Sequence, residues 1–321
     1  NDILQQIEHG ALSVVNGSLS LGRLYRGIIC NNLRQYVLLG DAAAMTDGII
    51  GNEDDRWVFT EDNPNREMNT AANLAASARA LRGFNDTLAT HCERIAKEIF
   101  ANVTKAGLMG QIQTASELYQ TTGETHYLDF IIGNWDSCVK NAGQCAWYLA
   151  PVERQMAGQK KYRKQCAAFR DALLTYRESL DAESAETPYG VPSRPSIWGA
   201  GWDIQSFGYR HYFLAKTYPD IFSPDQVFNA LNFILGCHPG LNTQSFASGV
   251  GAQSATVGYG LNRADWSYIP GGIVSGTALI RPDFPELLVF PYLWQQVEYV
   301  LGGGSSHYMF LVLAAMDLLS E

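Results

Sequence analysis

The feature that most constrains this chain is its helical periodicity. Apolar residues recur every three to four positions along most of the 321 residues, and strand-like alternation hardly appears. The opening "NDILQQIEHGALSVVN" carries apolar residues at 3, 4, 7, 11 and 14–15. The same spacing predicts helices over 69–84, 86–103, 113–123, 125–140, 160–180, 203–218, 224–236 and 307–320. The expected class is all-α. In "ELYQTTGETHYLDF" one helix meets a Thr-Thr-Gly stop and a Glu-Thr start before the next begins, the short connection of antiparallel neighbours. Hairpins in series build a bundle, a solenoid or a closed toroid, and the absence of a fixed repeat argues against a regular solenoid. With 46% hydrophobic residues the chain can bury a sizeable core, as one large domain or two small ones.

Three stretches refuse the helical pattern. Residues 40–68, 183–202 and 237–290 are rich in Gly, Pro, Asn, Asp and aromatic rings, and each exceeds what a connector needs. Long loops on a compact domain usually carry function. Trp57, Trp198, Trp202 and Trp266 lie in them, and such rings need a surface to cover, which speaks against solvated linkers.

Charge narrows the partners. The net charge is −9 and only 17% of residues are charged, so there is no basic field to hold a phosphate backbone, and nucleic acid is excluded as a partner. Aromatics reach 12%, which suits stacking on flat ligands such as sugars. No apolar run attains the ~18 residues a helix needs to cross a bilayer, and no signal-peptide pattern opens the chain. The chain starts without Met and directly in a helical pattern, which predicts a true beginning further upstream. Cys30, Cys92, Cys138, Cys145, Cys166 and Cys237 show no C-x-x-C spacing, so they read as buried thiols rather than a zinc or redox motif.

The chemistry must come from the loops. In "PYLWQQVEYVLGGGSSHYMF" a lone carboxylate, Glu298, precedes a triple glycine and the last helix, whose start is expected at Ser305 or Ser306 as N-cap. Beside Trp294 and Tyr299 such a carboxyl can sit in a partly apolar cleft and stay protonated as a general acid, or it can be a solvated helix-end glutamate. Spacing alone does not decide between them. The loop "NEDDRWVFTED" gathers five acids around Trp57 and one arginine, suiting sugar hydroxyls or a calcium ion. No EF-hand spacing accompanies it, so no cofactor is expected, with a structural calcium as the one alternative. The six histidines form no metal-binding pair, and "LGGGSS" follows no strand, so neither zinc nor nucleotide binding is indicated.

Taken in order, "LLGD", "DDRW", "TED", "NTAANLAASARAL", "ASELYQTTGETHYLDF", "WGAGW", "LNFILGCHPGLNTQSFASGVG", "IPGGIVSG" and the acid of "VEYV" resemble glycoside hydrolase family 9. The resemblance runs from about residue 3 to 319. It implies an (α/α)6 toroid of helical hairpins that hydrolyses β-linked polysaccharide or oligosaccharide with inversion. Glu298 falls at that family's general acid, although the flanking Val297 and Tyr299 do not keep its motif. Trp57 falls at a sugar-facing tryptophan after the Gly40-Asp41 pair, and Trp202 in "WGAGW" is a second substrate-binding candidate. The family's His-rich run ending in Arg is replaced by "AQSATVGYGLNR", which leaves Arg263, with Asn262 and Tyr259, as the sugar-holding counterparts. That departure removes the ground for naming plain cellulose as the substrate.

A second departure lies at the front. The family draws its base from an Asp-Ala-Gly-Asp motif that these residues lack, so the resemblance implies an upstream segment holding two helices and the base, and a toroid incomplete at its N-terminus. An inverting hydrolase needs two carboxylates about 6.5–9.5 Å apart, of which Glu298 is one. The triple glycine 302–304 would let the chain pass close behind the acid. Since polymers are met outside the cytoplasm, the expected location is secreted, periplasmic or cell-surface. Two alternatives stay open: a non-catalytic carbohydrate-binding relative, and another α-toroid enzyme such as a lyase or uronyl hydrolase, which Arg194, Arg210, Arg263 and Arg281 would suit through anionic substrates.

Overall fold

The computed structural model describes residues 2–30, 48–51, 55–192, 201–238, 245–254, 270–279, 293–299 and 303–320. Eleven α-helices lie among the described residues. They are α1 (Asp2–Leu21), α2 (Pro64–Leu81), α3 (Asp86–Asn102), α4 (Leu108–Thr122), α5 (Thr125–Gly133), α6 (Trp135–Lys140), α7 (Ala142–Ala157), α8 (Arg163–Ala185), α9 (Gly201–Thr217), α10 (Asp225–Ile234) and α11 (Gly303–Leu319). Two short antiparallel pairs accompany them: β1 (Gly27–Cys30) with β2 (Arg56–Phe59), and β3 (Val274–Leu279) with β4 (Leu293–Tyr299). The chain divides into two compact units, Asn1–Trp135 and Asp136–Glu321.

In the first unit, short connectors join successive helices. Asn63 caps α2, its side-chain oxygen accepting from Arg66 N at 3.1 Å with Pro64 in the first turn. Asn85 caps α3 in the same way through Leu88 N at 3.0 Å. Gly123 ends α4 at φ 73°, its N–H bonded to Tyr119 O, so the Thr-Thr-Gly stop operates as the sequence predicts. The buried face of α2 is lined by Ala71, Ala72, Ala75 and Ala78, small enough for backbones to approach. Hydroxyls from α4 use that closeness. Thr114 donates to Met68 O at 2.9 Å and Thr121 to Ala75 O at 2.8 Å, so positions rise together along the two helices. Helices α2 and α4 therefore run parallel, with α3 returning between them.

The second unit repeats this logic. From α7 to α9, Trp147 meets Tyr209 at 5.6 Å between ring centroids, and Arg154 reaches Thr217 at 3.4 Å. From α9 to α11, Ser206 meets His307 at 3.4 Å, and Tyr212 and Lys216 meet Asp317 at 2.8 and 2.9 Å. Helices α7, α9 and α11 are thus parallel, while α8 and α10 supply the returns. Their meeting point is tight at Gly208, where a Cβ would lie 2.7 Å from Leu311 and 2.8 Å from Ala230. Around it packs a core of Ile204, Val227, Phe233, Ile234, Leu311 and Ala314. This parallel succession with intervening returns is what a series of helical hairpins requires.

Several boundaries differ from the sequence reading. Helix α2 begins at Pro64, inside the stretch read as irregular, because the Asn63 cap and a proline at its start form a local signal that apolar spacing does not register. Helix α4 starts at Leu108 rather than 113. The expected helix 125–140 breaks at Asn134, where Gly133 and an Asn side chain bonded to Phe130 O interrupt the ladder. Helix α7 was not expected at all. It carries Pro151 and Gly143, yet Cys145, Ala146, Leu149, Val152 and Met156 are buried, so packing overrides the missing N–H. Cys92, Cys138, Cys145 and Cys166 are buried free thiols as expected, whereas Cys237 is exposed. No helix among the described residues is long and apolar enough to cross a membrane.

Candidate active site

Glu298 lies on β4, next to the last residue of the strand. Its hairpin is anchored from the core outward. The buried segment Ser245–Ser248, the "SFAS" of the sequence, bonds on one side to α10 through Phe246 N to Ile234 O at 2.8 Å. On the other side it accepts Val274 N at Phe246 O at 2.9 Å and gives Ser248 N to Gly272 O at 2.9 Å. The start of β3 is therefore pinned to the helical core. β3 in turn fixes β4, with Leu279 opposite Leu293, Gly276 opposite Gln296 and Val274 opposite Tyr299.

The register slips between the last two pairs. Ser275 alone stands opposite Val297 and Glu298, which is a β-bulge on β4. Bulges re-aim side chains and recur beside active sites. Gly276 holds φ 84° at this irregularity, and a Cβ there would run into the Phe246 ring. The acid is thus carried on an irregular strand end, opposite Ser275 and one position from a residue that only glycine suits. The sequence placed Glu298 on a short segment and missed the strand, since neither 274–279 nor 293–299 shows clean alternation. The triple glycine also differs from expectation. Gly303 and Gly304 form the first turn of α11, so Ser305 and Ser306 lie within the helix rather than capping it.

The other sequence candidates fall in different places. Trp57 sits on β2 opposite Ile29 and is 57% exposed, while Trp202 stands in the first turn of α9 and is 50% exposed. Both are large rings left uncovered, as a stacking platform requires. Trp202 and Glu298 belong to one unit, where α9 packs on β3; Trp57 belongs to the other. Tyr259, Asn262 and Arg263 lie outside the described residues, as do Gly40, Asp41, Trp198, Trp266, Arg194 and Arg281. Arg210 lies on α9, within the expected helix 203–218, and its guanidinium stands 5.7 Å from the Trp147 ring and 5.8 Å from the Tyr209 ring.

Between α7, α8 and α9 is a cavity of about 290 Å³, reached by Trp147, Tyr176, Asp203, Ser206, Phe207 and Arg210. Asp203 follows Trp202 directly. His307 meets Ser206 nearby, and burial together with the Arg210 charge holds its imidazole below the ordinary 6.5. Sequence reading missed Trp147 because its helix was not recognised. Of the acidic loop 52–62, Asp55 accepts Gly51 N at 2.5 Å and Glu61 is engaged by Arg66 at 2.6 Å and Arg26 at 3.4 Å. Among the described residues no group of three ligating side chains is arranged to hold a metal.

Comparison with solved structures shows what this scaffold is. A metagenome-derived family 9 endoglucanase superposes with a TM-score of 0.69 at 17% identity, over 98% of this chain and 61% of its own. This chain has the helical-hairpin fold of the family 9 glycoside hydrolases. The endoglucanase of the termite Nasutitermes takasagoensis gives a TM-score of 0.59 at 17% identity, covering 95% of this chain and 77% of its own. A thermostable endoglucanase variant from Alicyclobacillus acidocaldarius gives 0.60 at 12% identity, covering 91% and 61%. The all-α toroid class expected from the sequence is the class of these family 9 structures, and the chain spans about three-fifths of the first of them. No protein-family model matches the sequence, and no curated protein does.

Proposed function

We propose that this protein is a glycoside hydrolase of cellulase type that cleaves β-linked polysaccharide or oligosaccharide with inversion, Glu298 being the general acid. The observation that carries the reading is the placement of Glu298 on the bulged end of a hairpin tied to the core of a family 9 fold. In this reading Glu298 gives its proton to the leaving glycosidic oxygen. A second carboxylate, contributed by residues preceding this chain, activates water on the opposite face of the sugar ring. Trp57 and Trp202 supply ring faces for sugars, and Tyr259, Asn262 and Arg263 hold the sugar beside the broken bond. Residues 1–321 act as a single catalytic-type domain, no cofactor takes part in bond cleavage, and the protein meets its polymer in a secreted, periplasmic or cell-surface setting.

The test is product release from a panel of β-glucans, xyloglucan and glucosaminoglycans by a chain that includes the upstream segment. Glu298→Gln lowers turnover by about 10²–10⁴, the usual share of a positioned acid. Unchanged turnover in that variant would remove Glu298 from the mechanism. Binding without turnover in the extended wild type would instead assign a carbohydrate-binding protein.

A further inference from the structure

The cavity between α7, α8 and α9 has no part in the proposed bond cleavage, and its volume of about 290 Å³ is close to the ~300 Å³ at which small-molecule sites begin. Its polar groups are open rather than buried. Asp203, Ser206 and Arg210 share one face of α9 at positions i, i+3 and i+7; Asp203 and Arg210 are exposed and Ser206 is half-buried. Arg210 is held by rings rather than by acids. Its guanidinium stands against Trp147 and Tyr209, its Nε reaches the Tyr209 hydroxyl at 3.4 Å, and no carboxylate pairs with it among the described residues. Contact with ring faces does not satisfy N–H donors, so both Nη groups remain open. Asp203 is likewise unpaired among the described residues. It stands two turns along α9 from Arg210, about 10 Å at 1.5 Å per residue, so the two charges do not neutralise each other. Burial keeps His211 on the wall uncharged at neutral pH, which leaves Arg210 as the one cation and Asp203 as the one carboxylate among the described lining residues.

That arrangement selects a class of ligand. A guanidinium with open Nη donors takes a carboxylate through two parallel bonds. Asp203 at the far end accepts hydroxyl hydrogens and repels a second anionic group, which disfavours a polyanion. Ser206 adds a hydroxyl between them. The side walls are rings: Trp147, Tyr176 and Phe207 are each half-buried, and Gly143 lets Tyr176 lie close to α7, since a Cβ there would stand 2.5 Å from that ring. Aromatic faces of this kind cover the C–H face of a sugar. We propose that this cavity binds a hexuronic acid unit, its carboxylate on Arg210, its distal hydroxyls on Asp203 and Ser206, and its ring along Trp147 and Tyr176. The proposal concerns this cavity alone and stands whether or not Glu298 is the acid.

The probe is D-glucuronate, titrated into the chain by calorimetry, with D-glucose as its neutral counterpart and sodium acetate as its ring-free one. Saturable binding of glucuronate is expected, about tenfold or more tighter than either counterpart, and weakened about tenfold or more in Arg210→Gln, the loss of charge-assisted bonds. Arg210→Lys keeps the charge and the stem and loses only the fork. It is the variant to read should Arg210→Gln fail to fold, and is expected to weaken binding about threefold or more. Glu298→Gln should leave this binding unchanged. No binding at about 10 mM glucuronate overturns the proposal. Equal affinity for glucose overturns it too, since the carboxylate is then not read. Equal affinity for acetate means an adventitious ion only and has the same consequence. Undiminished binding in the folded Arg210 variants places the sugar elsewhere and removes this site. Binding lost in Glu298→Gln would put the sugar beside that acid, overturning this site while supporting the hydrolase reading.

Discussion

At the residue scale, two positions translate burial into measurable behaviour. His211 titrates in the unfolded chain near 6.5 and in the folded one near 4, because burial disfavours its charged form. Its folded pKa is depressed, so its neutral form is fully compatible with the fold above about 6.5, and stability is lost as pH falls from there toward 4. The loss amounts to roughly 3 kcal/mol at 1.36 kcal/mol per unit. Denaturation midpoints measured between pH 7 and 4 should fall in the wild type and flatten in His211→Phe; equal slopes would deny His211 that role. Gly276 is the second position. Gly276→Ala adds about 1–2 kcal/mol of left-handed backbone strain and drives a methyl into Phe246, displacing the strand that holds Glu298. Turnover should drop more than substrate binding, with partial recovery when Phe246→Leu is added; a change in binding alone would show that the hairpin does not position the acid. The sequence could name Glu298 but not its bulge, because a bulge is a relation between two strands, and nothing local in either one signals it.

Element by element, legibility followed caps and propensity as well as an apolar face. Helix α3 has caps, periodic apolar residues and a polar outer side, and its expected span of 86–103 matches Asp86–Asn102. Helix α7 keeps helical spacing in its buried Ala142, Cys145, Ala146, Leu149, Val152 and Met156, but Gly143 and Pro151 lower its propensity, and packing on α8 and α9 offsets that. The parallel run of α7, α9 and α11 rests on small residues in the same way. Gly208 on α9 is the contact point for α10 and α11, where any side chain meets Ala230 and Leu311. The helix-propensity gain of Gly208→Ala is at most about 1 kcal/mol, while overpacking a close-packed core costs about 1–3 kcal/mol. The net expectation is destabilisation, read as a lower urea midpoint with unchanged slope. A raised midpoint would mean that α9, α10 and α11 are less closely apposed than the described packing.

For the whole molecule, the order of segments was legible where identity was not. At 17% identity few residues are shared with the metagenome-derived endoglucanase, yet the superposition covers 98% of the chain with a TM-score of 0.69. Order survives because each hairpin must bury its face against the next, while loops are freer to change. The proposal of an upstream segment is testable on α11. Its inner face buries Leu311, Ala314 and Ala315, but Met309, Leu313 and Met316 form a second apolar row that is 50%, 44% and 61% exposed. Such a row at helical spacing is what a helix shows when a neighbour belongs against it. If upstream residues cover it, Met316→Lys should change the stability of this chain by less than about 0.5 kcal/mol and cost about 2 kcal/mol or more in the extended protein, where the charge would be buried. Parallel urea titrations of the two lengths measure the difference. Equal effects in both would mean that α11 keeps this face to solvent, and that the general base must reach the cleft from a segment packed elsewhere.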